Sequence, residues 1–487
     1  MGLEFIDGVS RFIPSIRGPA TPLSLKQKLM WTGIIIAVYF ILYNTLAVGL
    51  NKQALSNPFF QLISIIFAAK IGSLITVGIS PIVLSSIIIQ LISGSGLINI
   101  DMNDPVQKSR MQTVQKLAAI GLAIAEATIF VSTGYVTALP NFFGFVILQL
   151  TVGAIVIIYL DEMMTKYGIT SGINMFIASG VSYAFIAGTL TILLPSAVQA
   201  ITNGGAAAIS NALLAFGPLF FAIIVLLISI YIYGMKVELP LAFEQLRGIG
   251  GRLPIPFLYV SVLPVILATS LELAMSVWFR FLANIHGALG NIANFVALYA
   301  AQGSAGGGSS LQLSGGILYL ISPNFQSPYA APYGIGGYGA YFHYLATQTS
   351  TLILPWGGQL LVPESIHVLL YVVVLVVLCV VFGKFWVELT GQSPKKMAEQ
   401  LGEMGWQIPG FRRDPRIVEN VLNKYVPTLT VLGSISVGLL AALATLTGAI
   451  GSGMGILLTV GIIYMIYQQL EKENLYESYP ALAKFVK

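Results

Sequence analysis

The sequence predicts an all-α polytopic membrane protein, and three observations carry that expectation. Hydrophobic residues make up 56% of the 487 positions and charged residues 9%, far below the roughly 25% charged residues of an average soluble domain. The apolar residues gather into ten runs, most of them near the ~20 residues that a helix needs to cross a bilayer. The basic residues fall almost entirely on one side of those runs, as the positive-inside rule describes.

Ahead of the first run, Phe5, Ile6, Val9, Phe12, Ile13 and Ile16 recur at helical spacing, with Arg11 and Arg17 on or near the other face. That pattern reads as a short interfacial helix on the membrane, its length limited by Pro14. The spans are expected at about 31–50, 74–92, 117–137, 142–160, 171–194, 216–235, 257–278, 364–386, 428–449 and 454–470. The first is a full span without a short core and small-residue cleavage site, so no cleavable leader is expected. With the N-terminus in the cytoplasm, 21 of the 24 Lys and Arg lie inside, and only Lys52, Lys70 and Arg280 lie outside. Both termini are therefore expected inside, in a multi-pass protein.

One stretch breaks the pattern. NPFFQLISIIFAAK, beginning at Asn57 and closed by Lys70, is apolar but too short to cross. Gly72, Gly78 and Pro81 follow it, which suggests a half-inserted segment and then a bent helix. Backbone of that kind persists at membrane depth only against protein or a water-filled cavity. Either a re-entrant packing element or a channel plug would satisfy this.

Ten spans divide five and five at the Pro195–Ala215 segment. Five is odd, so a second half related to the first would sit inverted, a plan known from transporters. The expected organisation is an N-terminal segment 1–25, a five-helix half 26–194, an external hinge loop 195–215, a second half 216–470 and a cytoplasmic tail 471–487.

Two cytoplasmic loops stand out. One, 236–256, carries Arg247 and Arg252; the other, 384–427, carries Arg412 and Arg413 just after Pro409-Gly410. Topological anchoring explains basic residues near span ends, but not a mid-loop arginine pair. Exposed arginines on a turn suit phosphate contacts, as on an RNA backbone. Outside, the loop 281–363 is rich in Gly, Ser and Tyr and holds no Lys, Arg, Asp or Glu. His286 and His343 lie in it without ligand spacing, so ordinary polar contacts are expected rather than metal.

Chemistry is sparse. There is no GxxxxGK[ST] loop, no HExxH and no cysteine–histidine cluster, and the single Cys379 sits inside an apolar run. No cofactor, metal or bond chemistry is expected, so the protein does not read as an enzyme. Glu126 and Glu272 fall inside spans, where carboxylates are functional candidates by default. That keeps open an ion-coupled secondary solute transporter with inverted repeats. The plainer alternative for each is a carboxyl bonded to a neighbouring helix.

The segment SLITVGISPIVLSSIIIQ, Ser73–Gln90, resembles the SecY family of protein-translocation channels. YLDEMMTKYGITSGINMFI (Tyr159–Ile177), MKVELP (Met235–Pro240), LPVILA (Leu263–Ala268), GFRR (Gly410–Arg413) and GILLTV (Gly455–Val460) are similar to the family's other signatures, in the same order. The resemblance runs from about Lys26 to the C-terminus, with 284–340 looking like an insertion and 384–424 looking archaeal. It implies two five-helix halves closing around an hourglass pore. The short segment at about 58–70 would be the plug, with Phe60, Gln61, Leu62, Ile63, Ser64, Ile65, Ile66, Phe67 and Ala68 sealing the external funnel. The pore ring carries over onto Ile79, Val83, Ile173, Ile177, Ile266 and Leu458; such a ring of branched aliphatics closes on a chain and dewets when empty. The second and seventh spans would form a lateral gate for hydrophobic segments. Glu126 matches a member of the gate's polar cluster, whereas Leu84 and Ala274 are apolar where polar partners are expected. Ser85, Ser86, Ser270, Glu272 and Ser276 are the polar residues at hand. The resemblance further implies SecE-like and small beta-type subunits, and a translating ribosome docked on Arg247, Arg252, Arg412 and Arg413. Signal sequences, nascent chains and bilayer lipid would be the remaining partners, and the cell membrane the location.

Overall fold

The computed structural model describes residues 16–21, 23–50, 69–94, 105–202, 208–243, 250–260, 262–283, 295–303, 309–323, 338–353, 359–403, 406–407, 415–451 and 453–478. Helix α1, Leu25–Asn44, starts where a capping box allows: Ser24 and Gln27 exchange side-chain and backbone hydrogen bonds. The span expected at 31–50 thus begins six residues earlier and ends at Asn44. Beyond it, Leu46 and Leu50 leave the helix to bridge Ser73 and Ala138.

Helix α2 covers Ser80–Gly94 rather than beginning near residue 74. The preceding turns use Gly72 at φ 86° and Gly78 at φ 61°, a region glycine enters without steric cost. Side chains replace the missing helical bonds. Thr76 Oγ1 accepts from Gly72 N at 3.0 Å and donates to Ser73 O at 2.6 Å, while Ser73 Oγ donates to Lys70 O at 2.6 Å. Ile75, Thr76 and Val77 are fully buried, so protein and not lipid surrounds this unwound backbone. The bend expected from Gly72, Gly78 and Pro81 is present. A methyl group on Gly153 would collide with the Leu74 carbonyl oxygen, which shows how closely α4 backs this segment.

Helix α3 spans Pro105–Ser132, α4 Phe143–Tyr167 and α5 Gly172–Gly188. Ser171 caps α5, and Asp161 Oδ1 accepts from Ile173 N at 2.8 Å, so the YLDE motif orients the next helix. Glu162 ion-pairs with Lys116 and Lys166, each at 2.7 Å, and accepts from Ile16 N at 3.0 Å. This ties α3, α4 and the start of the chain together. A π-helical turn, Thr189–Leu193, leads from α5 into α6, Leu194–Thr202. Helix α7, Ala208–Ala215, packs back on α6 before α8, Gly217–Gly234. The segment expected as a hinge loop at 195–215 is therefore helical where described. Ala197, Ala200, Ala212 and Ala215 explain this: small side chains let two short helices pack closely.

The second half continues with α9, Leu263–Ala283, then α10, Ile317–Ile321, and α11, Tyr338–Thr347. Helix α12 is Glu364–Leu389, α13 Pro394–Glu403, α14 Pro415–Leu446 and α15 Gly453–Ser478. Eight helical stretches are long and apolar enough to span a membrane. Shorter apolar pieces, Ser80–Ile89 and Gly455–Gln468, stand at the second and tenth expected spans. The protein is a multi-pass membrane protein. The uncharged segment 281–363, expected outside, holds two antiparallel strand pairs in its described parts, β3 (Leu298–Gly303) with β4 (Ser309–Gly315), and β5 (Thr349–Ile353) with β6 (Gln359–Pro363). Its base is a buried cluster: His367 Nδ1 meets Glu364 Oε2 at 2.8 Å, and Tyr319 donates to Glu364 Oε1 at 2.8 Å.

Candidate functional site

The six aliphatic residues singled out above come from distant parts of the chain, yet all belong to one apolar cluster. Ile79 lies just before α2, Val83 on α2, Ile177 on α5, Ile266 on α9 and Leu458 on α15, and all five are buried. Ile173, in the first turn of α5, is half-buried against the same cluster. Helices α2 and α9 pack on each other, as do α5 and α15, so the cluster joins the first half of the chain to the second. The residues at 60–68 lie outside those the structure describes. Lys70, at the end of that stretch, donates to Asn44 Oδ1 at 3.3 Å.

The polar residues named for the seam between α2 and α9 do not form one hydrogen-bonded group. Ser80 Oγ donates to Glu126 Oε1 at 3.1 Å, both buried, linking α2 to α3 within the first half. Ser85 and Ser86 donate back to Ile82 O on their own helix, and Gln115 on α3 donates to Ser86. Ser270 Oγ and Glu272 Oε1 are buried with no hydrogen-bond partner among the described residues. Glu272 lies within electrostatic reach of Tyr371 and Cys379, both on α12. Leu84 and Ala274 are buried apolar residues. The seam is accordingly more aliphatic than a polar gate cluster.

The two loops expected on the cytoplasmic side meet. Residues 236–256, expected as a loop, form a hairpin of β1 (Lys236–Phe243) and β2 (Gly250–Pro256), registered from Lys236↔Pro256 to Ala242↔Gly250. Strand β7, Trp406–Gln407 in the other loop, adds to its edge through Ala242↔Gln407 and Phe243↔Trp406. The signal for the first strand was legible in its alternation: Val237 and Leu239 turn inward while Glu238 points out. Beneath the sheet is a second apolar core built from Leu239, Ile255, Val260, Val387, Ala398, Leu401, Val418, Leu422, Val426 and Leu429. Tyr259 bolts the loops together, its hydroxyl donating to Gln392 O at 2.6 Å, and burial pushes its pKa up to about 12. Arg252 is exposed and pairs with Glu238 across the hairpin at 2.7 Å. Arg247, Arg412 and Arg413 lie outside the described residues.

Sequence reading passed over two buried groups. One is His367, discussed with the external hairpins. The other is Arg280, noted only for its sidedness: it is buried, and its guanidinium carbon stands 4.0 Å from the centre of the Tyr135 ring. A lone cation near a span end carries no pattern that identifies its partner.

Comparison with known proteins fits this arrangement. A family model described as SecY matches residues 73–467. The chain is 36% identical over 483 residues to the protein translocase subunit SecY of Methanocaldococcus jannaschii, covering 97% of each. It is 35% identical over 485 residues to that of Methanococcus vannielii, covering 99% of each. Among solved structures, one described as a protein conducting channel matches with a TM-score of 0.77 at 35% identity, over 98% of this chain and 99% of the other. Another, described as Sec61 in the canine ribosome-channel complex from the endoplasmic reticulum, matches with a TM-score of 0.75 at 35% identity, with the same coverage.

Proposed function

The chain belongs to the SecY family, and from that premise we propose how its parts share the work of moving proteins. It is the central subunit of a protein-translocation channel and not an enzyme: it conducts unfolded secretory chains and releases transmembrane segments to lipid. The solute-transporter alternative is not favoured, since the relatives named above are protein translocase subunits. The single observation that supports the site assignment is the apolar cluster uniting Ile79, Val83, Ile173, Ile177, Ile266 and Leu458 across both halves. A wall of branched side chains can close around an extended chain and exclude water when empty. Residues 60–68 act as the plug, by analogy with a SecY channel whose plug domain is described as stabilising the closed state and maintaining a membrane seal. Helices α2 and α9 part as the lateral gate, with Ser85, Ser86, Glu126, Ser270 and Glu272 as the polar groups along or behind it.

The cytoplasmic sheet, with Arg252 on β2, and the basic residues Arg247, Arg412 and Arg413 of the same two loops receive a translating ribosome, which supplies the driving force. Two of the similar structures, Sec61 and Ssh1, are described in ribosome-bound complexes. SecE-like and small beta-type subunits clamp the halves. Both termini are cytoplasmic, and the membrane is the cell membrane. The test replaces the six ring residues by Ser in the reconstituted complex and reads single-channel conductance with export of a weak-signal substrate. A wetted ring should leak ions and accept weaker signals. A ring variant as tight and as stringent as the parent would remove these six residues from the pore.

A further inference from the structure

We propose that Arg280 and Tyr135 form an external latch across the seam between α9 and α3, and that this latch sets how hydrophobic a signal segment must be. The proposal rests on the channel reading above and assigns residues that regulate the same gate. Arg280 lies in the last turn of α9, in the second half of the chain. Tyr135 follows α3, in the first half. The guanidinium carbon stands over the tyrosine ring, 4.0 Å from its centre. Both residues are buried, Arg280 at 5% exposure and Tyr135 at 1%. A cation over an aromatic face gains most when it is desolvated in this way.

The receiving side is preset. Helix α3 stops at Ser132, and the chain reverses through Gly134 at φ 74°, with Val136 N donating to Phe130 O at 3.0 Å. Phe130 then packs edge-on against Tyr135 at 5.6 Å, which holds the ring. The contacts that hold the ring on this side all come from the first half of the chain. Arg280 is one of only three basic residues expected outside, so topological anchoring does not call for it there. A buried cation persists only where specific partners compensate its lost hydration.

Helix α9 packs against both α2 and α3. If α9 swings away from α3 to let a hydrophobic segment out, the guanidinium loses the ring. The latch therefore favours the closed seam, and an entering signal must supply the difference through its own preference for the open one. Packing alone would make a different prediction: substitutions would lower assembly without altering which signals are accepted.

The experiment uses the complete complex with its SecE-like and beta-type subunits in liposomes. Two reporters are exported, one with a normal signal and one whose apolar core carries a single polar substitution. Tyr135→Leu and Arg280→Met should each raise weak-signal export about tenfold and leave normal-signal export unchanged. The double variant should match the larger single effect, because both remove one contact. Tyr135→Phe keeps the ring face and should stay within about twofold of the parent. If Arg280→Met does not assemble, the contrast between Tyr135→Leu and Tyr135→Phe still decides. Unchanged weak-signal export in assembled Tyr135→Leu, or additive single effects, would overturn the latch. A parent complex that exports neither reporter would instead overturn the channel reading, and the latch with it.

Discussion

The Ser80 hydroxyl donates a 3.1 Å hydrogen bond to Glu126, joining the first residue of α2 to the middle of α3 where both are buried. The other carboxyl oxygen of Glu126 has no partner among the described residues. This one bond holds the start of a short helix whose preceding turns lack helical bonds. Ser80→Ala should cost about 1 kcal/mol of stability, in the range of interhelical bonds within membranes. Glu126→Gln keeps an acceptor and should cost less than about 0.5 kcal/mol, whereas Glu126→Leu strands the Ser80 hydroxyl and should cost about 1–3 kcal/mol. Thermal unfolding of the purified complex ranks the three. Equal losses for Gln and Leu would show that the bond contributes nothing.

Gly153 gives a sterically sharper case. The atom it would displace is a backbone oxygen, which cannot rotate away as a side chain can. Gly153→Ala should destabilise by about 1–3 kcal/mol, the usual cost of overpacking. It should also loosen the Leu74–Gly78 turns that precede Ile79, proposed above as a ring residue. Melting temperature and idle-channel conductance should change together; a stable, tight Gly153→Ala channel would contradict the close approach of α4.

For Tyr259 the expected signature is a pH profile. Its hydroxyl is stabilised in the neutral form by burial, with a pKa of about 12 against the ordinary 10.0. The sign follows: the folded loops hold the proton more tightly than unfolded chain, so this contribution is intact below pH 10 and fades as pH rises through about 12. Tyr259→Phe should lose about 1 kcal/mol near neutral pH and respond less to pH above 10. Protease sensitivity of the cytoplasmic loops, measured across that window, reports both effects.

The Arg252–Glu238 pair is exposed, with side chains 78% and 51% accessible. Such pairs add at most about 1 kcal/mol, so Arg252→Ala should leave the melting temperature unchanged. If Arg252 contacts ribosomal phosphate, the same variant should weaken ribosome binding, and the slope of log affinity against log salt should fall by about one unit or slightly less. Glu238→Ala should leave that slope intact. An unaltered slope in Arg252→Ala would assign the residue to the hairpin alone.

Hydropathy located the spans well but misjudged their ends where polar detail decides. The start of α1 was written in Ser24 and Gln27, a capping box that lies ahead of the apolar run. The late start of α2 was legible in Gly72 and Gly78, because a bend at membrane depth needs such residues. Pairings between distant segments were not legible. Nothing near Trp406 announces that it will join Phe243, and nothing near Arg280 announces Tyr135. The six residues proposed for the ring rest on family motifs alone, since an isoleucine in an apolar helix has no local mark of function.

The join between β1 and β7 is one of several ties between the two loops. Among the described residues, Ala242 and Phe243 pair with Gln407 and Trp406, whereas β1 and β2 are matched from Lys236↔Pro256 to Ala242↔Gly250. The two loops are held together chiefly by the apolar core beneath the sheet and by the Tyr259–Gln392 bond, with the strand pairing as the smaller tie. Relative motion of the two loops would therefore have to shear packed side chains as well as open two residue pairs, so the loops move as one body.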